Sequence, residues 1–264
     1  MRVTMYTKND LMKGLSDIGV NPEGTLLVHS SLKSIGEMDG GANTVLDALI
    51  EYMKPGLLIF PTHTWKQIND EYNIFNPLTE PSCVGLLSNL FLQRPGVIRS
   101  WHPTHSVAAL GKDAKNFTQG EEAWNTPCSR QGCWGKLYDK NAQILFLGCS
   151  LKSNTFLHGV EEWNKIPLRL SDHDQALKIA TPDGRLLDCP QYRHFTPFID
   201  VSEHYDKMEA PFLYTKIAKK GTIGDAQSFL CTATGMAELT GSFLNLNPNL
   251  FGDSLPVPEE WYQI

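Results

Sequence analysis

The sequence predicts an α/β protein built on a parallel sheet, and three observations predict it. Apolar runs stop abruptly at polar clusters, helical periodicities separate those runs, and the order strand, loop, helix, strand occurs early in the chain. At 264 residues, 41% of them hydrophobic and 20% charged, the chain is long enough for one large α/β domain or two intergrown lobes, with a core that needs no staples.

From Lys8 to Ile18 the apolar residues Leu11, Met12, Leu15 and Ile18 fall at helical spacing, and Gly19 closes the helix. NPEG is a turn, and TLLVHSS is a buried strand that carries His29, Ser30 and Ser31 at its C-terminal end. After Gly40-Gly41, a second helix is marked by Val45, Leu46, Leu49, Tyr52 and Met53 and ended by Lys54-Pro55-Gly56. LLIFPTHTW then repeats the apolar strand with a polar tip. Strand, helix, strand makes a βαβ unit whose parallel sheet is covered on both faces. Ligands in such sheets bind outside the strand C-termini, where Ser30, Ser31, Thr62, His63 and Thr64 gather. VIRSWHPTHSVAALG predicts a strand around Val107 to Leu110, and ILFLG another at Ile144 to Gly148, followed directly by SNTFLHGVEEW. Beyond Leu170 the pattern is less regular. Short strands are expected around TPDGR, a helix from about Pro211 to Lys220, GTIGDAQ in the closing segment, and a Pro-rich tail, SLPVPEEWYQI, as a surface arm.

Composition narrows the function classes. A net charge of −6 and the lack of any basic run argue against a general nucleic-acid binder. No stretch approaches the roughly 20 apolar residues of a membrane span. At the N-terminus, MRVTMYTKNDLMKG has charges interrupting each apolar run, unlike a signal peptide. Six dispersed cysteines without a CxxC pair read as reduced thiols, so a cytoplasmic location is expected.

Three stretches carry candidate chemistry. HSSLKSIGEMDGG joins a strand end to a helix N-terminus through small and hydroxylated residues, a place where backbone N–H groups favour an anion; an ordinary polar loop is the plain alternative. GxxxxGK[ST] and GxGxxG are both absent, which removes the usual signals for triphosphates and dinucleotides. His63, His102 and His105 lack diagnostic metal spacing, so hydrogen-bonded loop histidines are expected there and no metal. The absence of GxSxG leaves serine hydrolysis poorly supported. His158 and Glu161, three apart on a helix capped by Ser153 or Asn154, share one face. A carboxylate there orients an imidazole for general-base work, while the polar face of a surface helix would present the same pattern.

Taken together, LLVHSSLKSIGEMDGGANTVLDAL, LLIFPTHT, VIRSWHPTHSVAALG, CWGKLYDKNAQILFLGCSLKSNTFLHGVEE and, more weakly, KKGTIGDAQSFL resemble, in order, the aminoglycoside 3-N-acetyltransferase family. The resemblance implies intergrown α/β/α layers around a largely parallel sheet, in a single acetyltransferase domain over 1–264 whose lobes divide near residue 165. It implies acetyl-coenzyme A as cosubstrate and direct acetyl transfer, in a ternary complex, to an amine of a cationic small molecule, the 3-amino group of an aminoglycoside. Ser30, Ser31, Leu32, Lys33 and Ser34 are then expected to hold the pantetheine arm and pyrophosphate, Thr62 and Ser106 to line the groove, and Arg99 to neutralise a phosphate. His158 is the expected base, with Glu161 orienting it or meeting the cationic substrate. The segment WKQINDEYNIFNPLTEPSCVG is short for this family's acceptor-site insertion, and Asp200, Glu203 and Asp206 are the candidates for a further acidic residue. The alternatives are the same chemistry on a metabolite amine, a non-catalytic coenzyme A-binding protein and, more remotely, a metal-dependent hydrolase. A homodimer is compatible with the sequence.

Overall fold

The computed structural model of the chain describes residues 5–197 and 199–263; Met1 to Thr4, where the stretch read above for a leader begins, lie outside them. The chain opens with β1 (Met5–Tyr6), α1 (Lys8–Ile18), β2 (Thr25–Ser30), β3 (Glu37–Met38), α2 (Gly41–Tyr52) and β4 (Leu57–Pro61). Next come β5 (Ile74–Phe75), α3 (Leu86–Leu92), β6 (Ile98–Arg99), β7 (Val107–Gly111), α4 (Ala114–Thr118), α5 (Cys133–Asp139), β8 (Gln143–Leu147) and α6 (Thr155–Trp163). The remainder supplies β9 (Lys178–Ala180), β10 (Leu186–Asp188), α7 (Glu209–Tyr214), β11 (Ala218–Ile223), β12 (Ala226–Thr232) and α8 (Ala233–Leu246).

Local chemistry explains the first elements. Thr7 and Asp10 form a reciprocal capping box at the start of α1, and Gly19, at φ 95°, takes the left-handed conformation that ends it. Seven strands form the main sheet in the order β11-β12-β8-β2-β4-β7-β6. Its centre, β8-β2-β4, is parallel, as the βαβ unit requires. Both flanks are antiparallel, because β6 with β7 and β11 with β12 are joined by connections too short for a crossover. The parallel sheet expected from the sequence is thus the centre, extended on each side by hairpins.

Alternation along the strands divides the core into two layers. Leu27, Ile59, Ile144, Phe146 and Phe229 face one cluster, which contains Trp134 of α5, Phe156 and Val160 of α6, and Met236 of α8. Leu26, Val28, Phe60, Leu145 and Leu230 face the other, with Leu15 of α1, Leu46 of α2 and Phe91 of α3. The chain on either side of residue 165 shares the sheet, since β12 pairs with β8. A three-stranded sheet, β10-β9-β5, lies over a small core of Ile68, Phe75, Leu177, Ile179 and Cys189. Among the described residues no helix is long and apolar enough to cross a membrane.

Two expectations change. The helix expected from Pro211 to Lys220 ends at Tyr214, because Lys216 turns the chain at φ 60° and Ala218 to Ile223 pair with β12. The tail is more than a surface arm: Val257 is buried, and Trp261 packs against the first core cluster.

Candidate active site

A cleft of about 860 Å³ opens where β2 and β4 end, lined there by His29, Ser30 and Pro61. That is a volume typical of small-molecule sites, at the place the βαβ reading indicates. α6 contributes His158 to its wall. The helix is anchored by Phe156, Leu157 and Val160 in the core, which turns His158 toward the cleft while burying Glu161 completely. Asn154 occupies the N-cap position without a capping hydrogen bond from its side chain.

Nδ1 of His158 lies 3.9 Å from Oε2 of Glu161, too far for a hydrogen bond. Tyr205 bridges them. Its hydroxyl donates to Oε2 of Glu161 at 2.6 Å, and its oxygen lies 2.8 Å from Nδ1 of His158. A hydroxyl has one hydrogen, so a proton given to the carboxylate requires Nδ1 to carry its own. The lone pair of neutral His158 is then on Nε2. The other oxygen of Glu161 accepts from Nε of Arg169 at 2.5 Å. With both oxygens engaged and no exposure, Glu161 does not meet a substrate, which corrects that half of the expectation. Burial raises the Glu161 pKa although Arg169 pulls the other way. For His158, burial and then the neighbouring His194 push the pKa well below its usual value, with Asp200 opposing.

His194 stacks on His158, with ring centroids 4.2 Å apart and planes 23° from parallel. Its Nε2 lies 2.8 Å from Oε1 of Glu162, an oxygen that also accepts the backbone N–H of Cys128 at 3.0 Å. Burial lifts Glu162 to about 8 and drops His194 to about 3, so the ring beside His158 stays uncharged at neutral pH. Cys128, Glu162 and His194 have ligand atoms within 4.8 Å of one another, the one such group among the described residues. His194 and Glu162 already bond to each other, the Cys128 thiol donates to the Thr155 carbonyl, and burial holds that thiol well above its normal pKa, so a metal would have to displace these bonds and a proton. His63, His105, His194 and His158 form a row of touching rings, and Nδ1 of His102 accepts the backbone N–H groups of Thr104 and His105.

The expected cofactor residues separate into two groups. Ser30 lines the cleft, and Leu32–Ser34 form a single 3-10 turn just beyond it, in which the hydroxyls of Ser31 and Ser34 bond at 3.0 Å and Lys33 is exposed. Thr62 and Ser106 are fully buried and bonded to each other at 3.0 Å, so they do not line the groove. Arg99 points into the same knot. It donates to Ser106 Oγ and to the carbonyls of Glu80 and Thr62, which leaves it committed to the protein and unsuited to neutralising a phosphate. Its position beside β7 turns it inward; burial lowers its pKa only to about 10, so it remains cationic. The N-terminus of α2 is also displaced from the expected anion site. β3 intervenes, and the helix opens instead beside Asp39 and Asp47 in a separate, smaller hollow.

Of the acidic candidates, Asp200 lines the cleft and accepts from Ser202 N and Oγ. Glu203 pairs with Lys152, and Asp206 accepts the backbone N–H of Lys152. Tyr205, His194, Arg169 and Arg193 also reach the site; sequence reasoning singled out none of them, although Tyr205 lies within the stretch of the acidic candidates. No local spacing marks them; only the long-range bridge Leu170↔His194 and the return of the chain through 201–208 bring them in.

The family model for aminoglycoside 3-N-acetyltransferase matches residues 27–245. The chain belongs to the aminoglycoside 3-N-acetyltransferase family. The family consists of acetyl-coenzyme A-dependent N-acetyltransferases, and two curated relatives indicate the range. Aminoglycoside N(3)-acetyltransferase IV of Salmonella sp. is 28% identical over 251 residues, covering 93% of this chain and 90% of the relative. An aminoglycoside N(3')-acetyltransferase-like protein, YokD, of Bacillus subtilis is 31% identical over 176 residues, 59% of this chain and 64% of its own. Among solved structures, a histidine-to-alanine variant of AAC(3)-IVa in complex with a gentamicin superposes with a TM-score of 0.82 at 26% identity, covering 98% of this chain and 95% of that one. AAC-IIIb, solved as a binary complex with CoASH, shares the fold with a TM-score of 0.81 at 21% identity, over 97% and 100% of the two chains.

Proposed function

We propose that this cleft transfers an acetyl group from acetyl-coenzyme A to a primary amine, with His158 as general base. The observation that carries the reading is the Tyr205 bridge, which leaves the basic lone pair of His158 on Nε2 at the cleft wall. The thioester supplies an activated acyl carbon. The neutral amine attacks that carbon through its lone pair, and Nε2 takes the proton that the nitrogen must lose as the C–N bond forms. The hydrogen bond from Nδ1–H to the Tyr205 oxygen, backed by the Glu161 carboxylate, steadies the cationic ring. The imidazolium then returns its proton to the departing sulfur as the C–S bond breaks. Holding both reactants in one cleft lowers the entropic cost of the encounter.

Ser30 supports the coenzyme A part of the reading, together with Ser153 and Thr155, which also line the cleft. Gly148 supports it too: its conformation lets the Ser34 side chain lie where a Cβ would be only 2.6 Å away, so the turn packs tightly on the end of β8. A neighbour in the same fold was solved with CoASH. The relatives' names make the 3-amino group of an aminoglycoside the first acceptor to test. The His158→Ala variant should bind coenzyme A normally by calorimetry while kcat falls roughly 10²- to 10⁴-fold. Near-normal turnover would remove His158 as the base.

A further inference from the structure

Polycationic acceptors call for carboxylates, and this cleft is poor in them. Among its described lining residues Asp200 is the one carboxylate, whereas Arg169, Arg193 and Lys152 are cations. Lys152 is paired with Glu203. The two arginines are not so easily accounted for. They stand on adjacent antiparallel segments, one step either side of the Leu170↔His194 bridge: Phe195 N donates to Arg169 O, and Ser171 N to Arg193 O. Residues placed diagonally in this way reach the same ligand.

Arg169 is 9% exposed and spends Nε on Glu161, while its Nη2 is buried at the cleft with no hydrogen-bond partner. A buried donor without a partner is costly and calls for an acceptor. Arg193 is pinned through Nη1 and Nη2 to the carbonyls of Ile68 and Trp65, and no carboxylate lies within ion-pair distance of it among the described residues. Two carbonyls fix its plane, and Asp70 acts on its charge only from beyond ion-pair distance. Unlike Arg99, it leaves Nε without a protein acceptor among the described residues, so it can still donate to a carboxylate or phosphate oxygen.

We propose that Arg169 and Arg193 form an oxyanion subsite for the acceptor, so that the natural substrate is an amine that also carries a carboxylate, phosphate or phosphonate. The inference rests on the acetyl-transfer reading above. Coenzyme A's own phosphates are an unsuitable occupant, because a pantetheine arm separates them from the thioester. Arg169, by contrast, is hydrogen-bonded into the Glu161–Tyr205–His158 chain at the reacting centre. An amine directed to His158 and Asp200, with its anion on the arginine pair, satisfies both ends of the site.

The test is calorimetric binding to the full-length protein saturated with CoASH, which cannot react. The probes are 3-aminopropylphosphonate, 4-aminobutyrate, the neutral 4-aminobutanamide and gentamicin. At least one anionic amine should bind tenfold or more tightly than the amide. Arg193→Gln should abolish that preference, Arg193→Lys should retain part of it, and both should leave the Kd for CoASH within twofold. Equal binding of amide and anions, no measurable binding of either anion, or a loss of CoASH affinity in Arg193→Gln would overturn the proposal. Free-thiol release with acetyl-coenzyme A separates the two readings. Selective anion binding with no thiol release from any amine removes the acetyl-transfer reading and leaves the subsite standing. Acetylated gentamicin with no anion preference does the reverse.

Discussion

His158 is set in place by a side chain 47 positions away, and Tyr205 is where that arrangement is best tested. Tyr205→Phe removes the acceptor for Nδ1–H and the link to Glu161 while keeping the ring that packs on Phe251. The cationic ring then loses its stabiliser. On the proposed mechanism kcat should drop about 10- to 100-fold with the KM for acetyl-coenzyme A unchanged. The acid limb of kcat/KM, expected below the usual histidine range in the parent because burial and His194 depress the His158 pKa, should move to still lower pH. A drop in stability with an unaltered pH profile would make Tyr205 a packing residue.

At the scale of elements, the turn Leu32–Ser34 packs on the end of β8 next to Ser30, which lines the cleft. Gly148 stands at φ 69°, and a Cβ there would meet the Cβ of Ser34 at 2.6 Å and that of Ala226 at 3.0 Å. Gly148→Ala therefore strains the backbone and pushes the turn outward. A loss of about 1–3 kcal/mol in unfolding free energy is expected by denaturant titration. Affinity for coenzyme A should also weaken in calorimetry, because the turn adjoins Ser30. Unchanged affinity in a folded variant would detach this turn from the cosubstrate.

Over the whole molecule, buried histidines set the response to acid. Burial lowers His29 to about 3 and His102 to about 4, and pushes His63 and His105 well below their usual value. A group whose folded pKa is depressed contributes stability above its unfolded pKa and loses it as pH falls toward the folded value. For His102 alone the span is on the order of 3 kcal/mol. The glutamates act in the opposite sense. Glu162, raised to about 8, and Glu121, also raised by burial, lose stability as pH climbs above the usual carboxylate range. Histidines outnumber them, so the net slope is positive below roughly pH 6.5 and weakly negative above it. A melting temperature that peaks near that pH and falls steeply toward about pH 4 is the expected scan. A flat profile over that range would mean that these histidines are hydrated.

Whatever short-range rules govern can be read from the residues alone. Strand and helix periodicities mark α1, β2, α2, β4, β7, β8 and α6 nearly to the residue, and the βαβ order puts the cleft at the strand ends, because alternation and capping are properties of neighbouring residues. His158 is legible for the same reason, as it follows a strand on a helix of obvious polarity. Arg99, Thr62 and Ser106 lie elsewhere than the resemblance implies, since spacing cannot tell a polar residue that faces a groove from one that faces its neighbours behind the wall. Three-dimensional packing alone determines that Glu161 speaks to His158 through Tyr205, that a neutral His194 covers the ring, and that two arginines line the cleft. Those groups meet through long loops and two isolated bridges, Leu170↔His194 and Gln175↔Gln191, whose closure depends on contacts across the whole chain rather than on any pattern within one element.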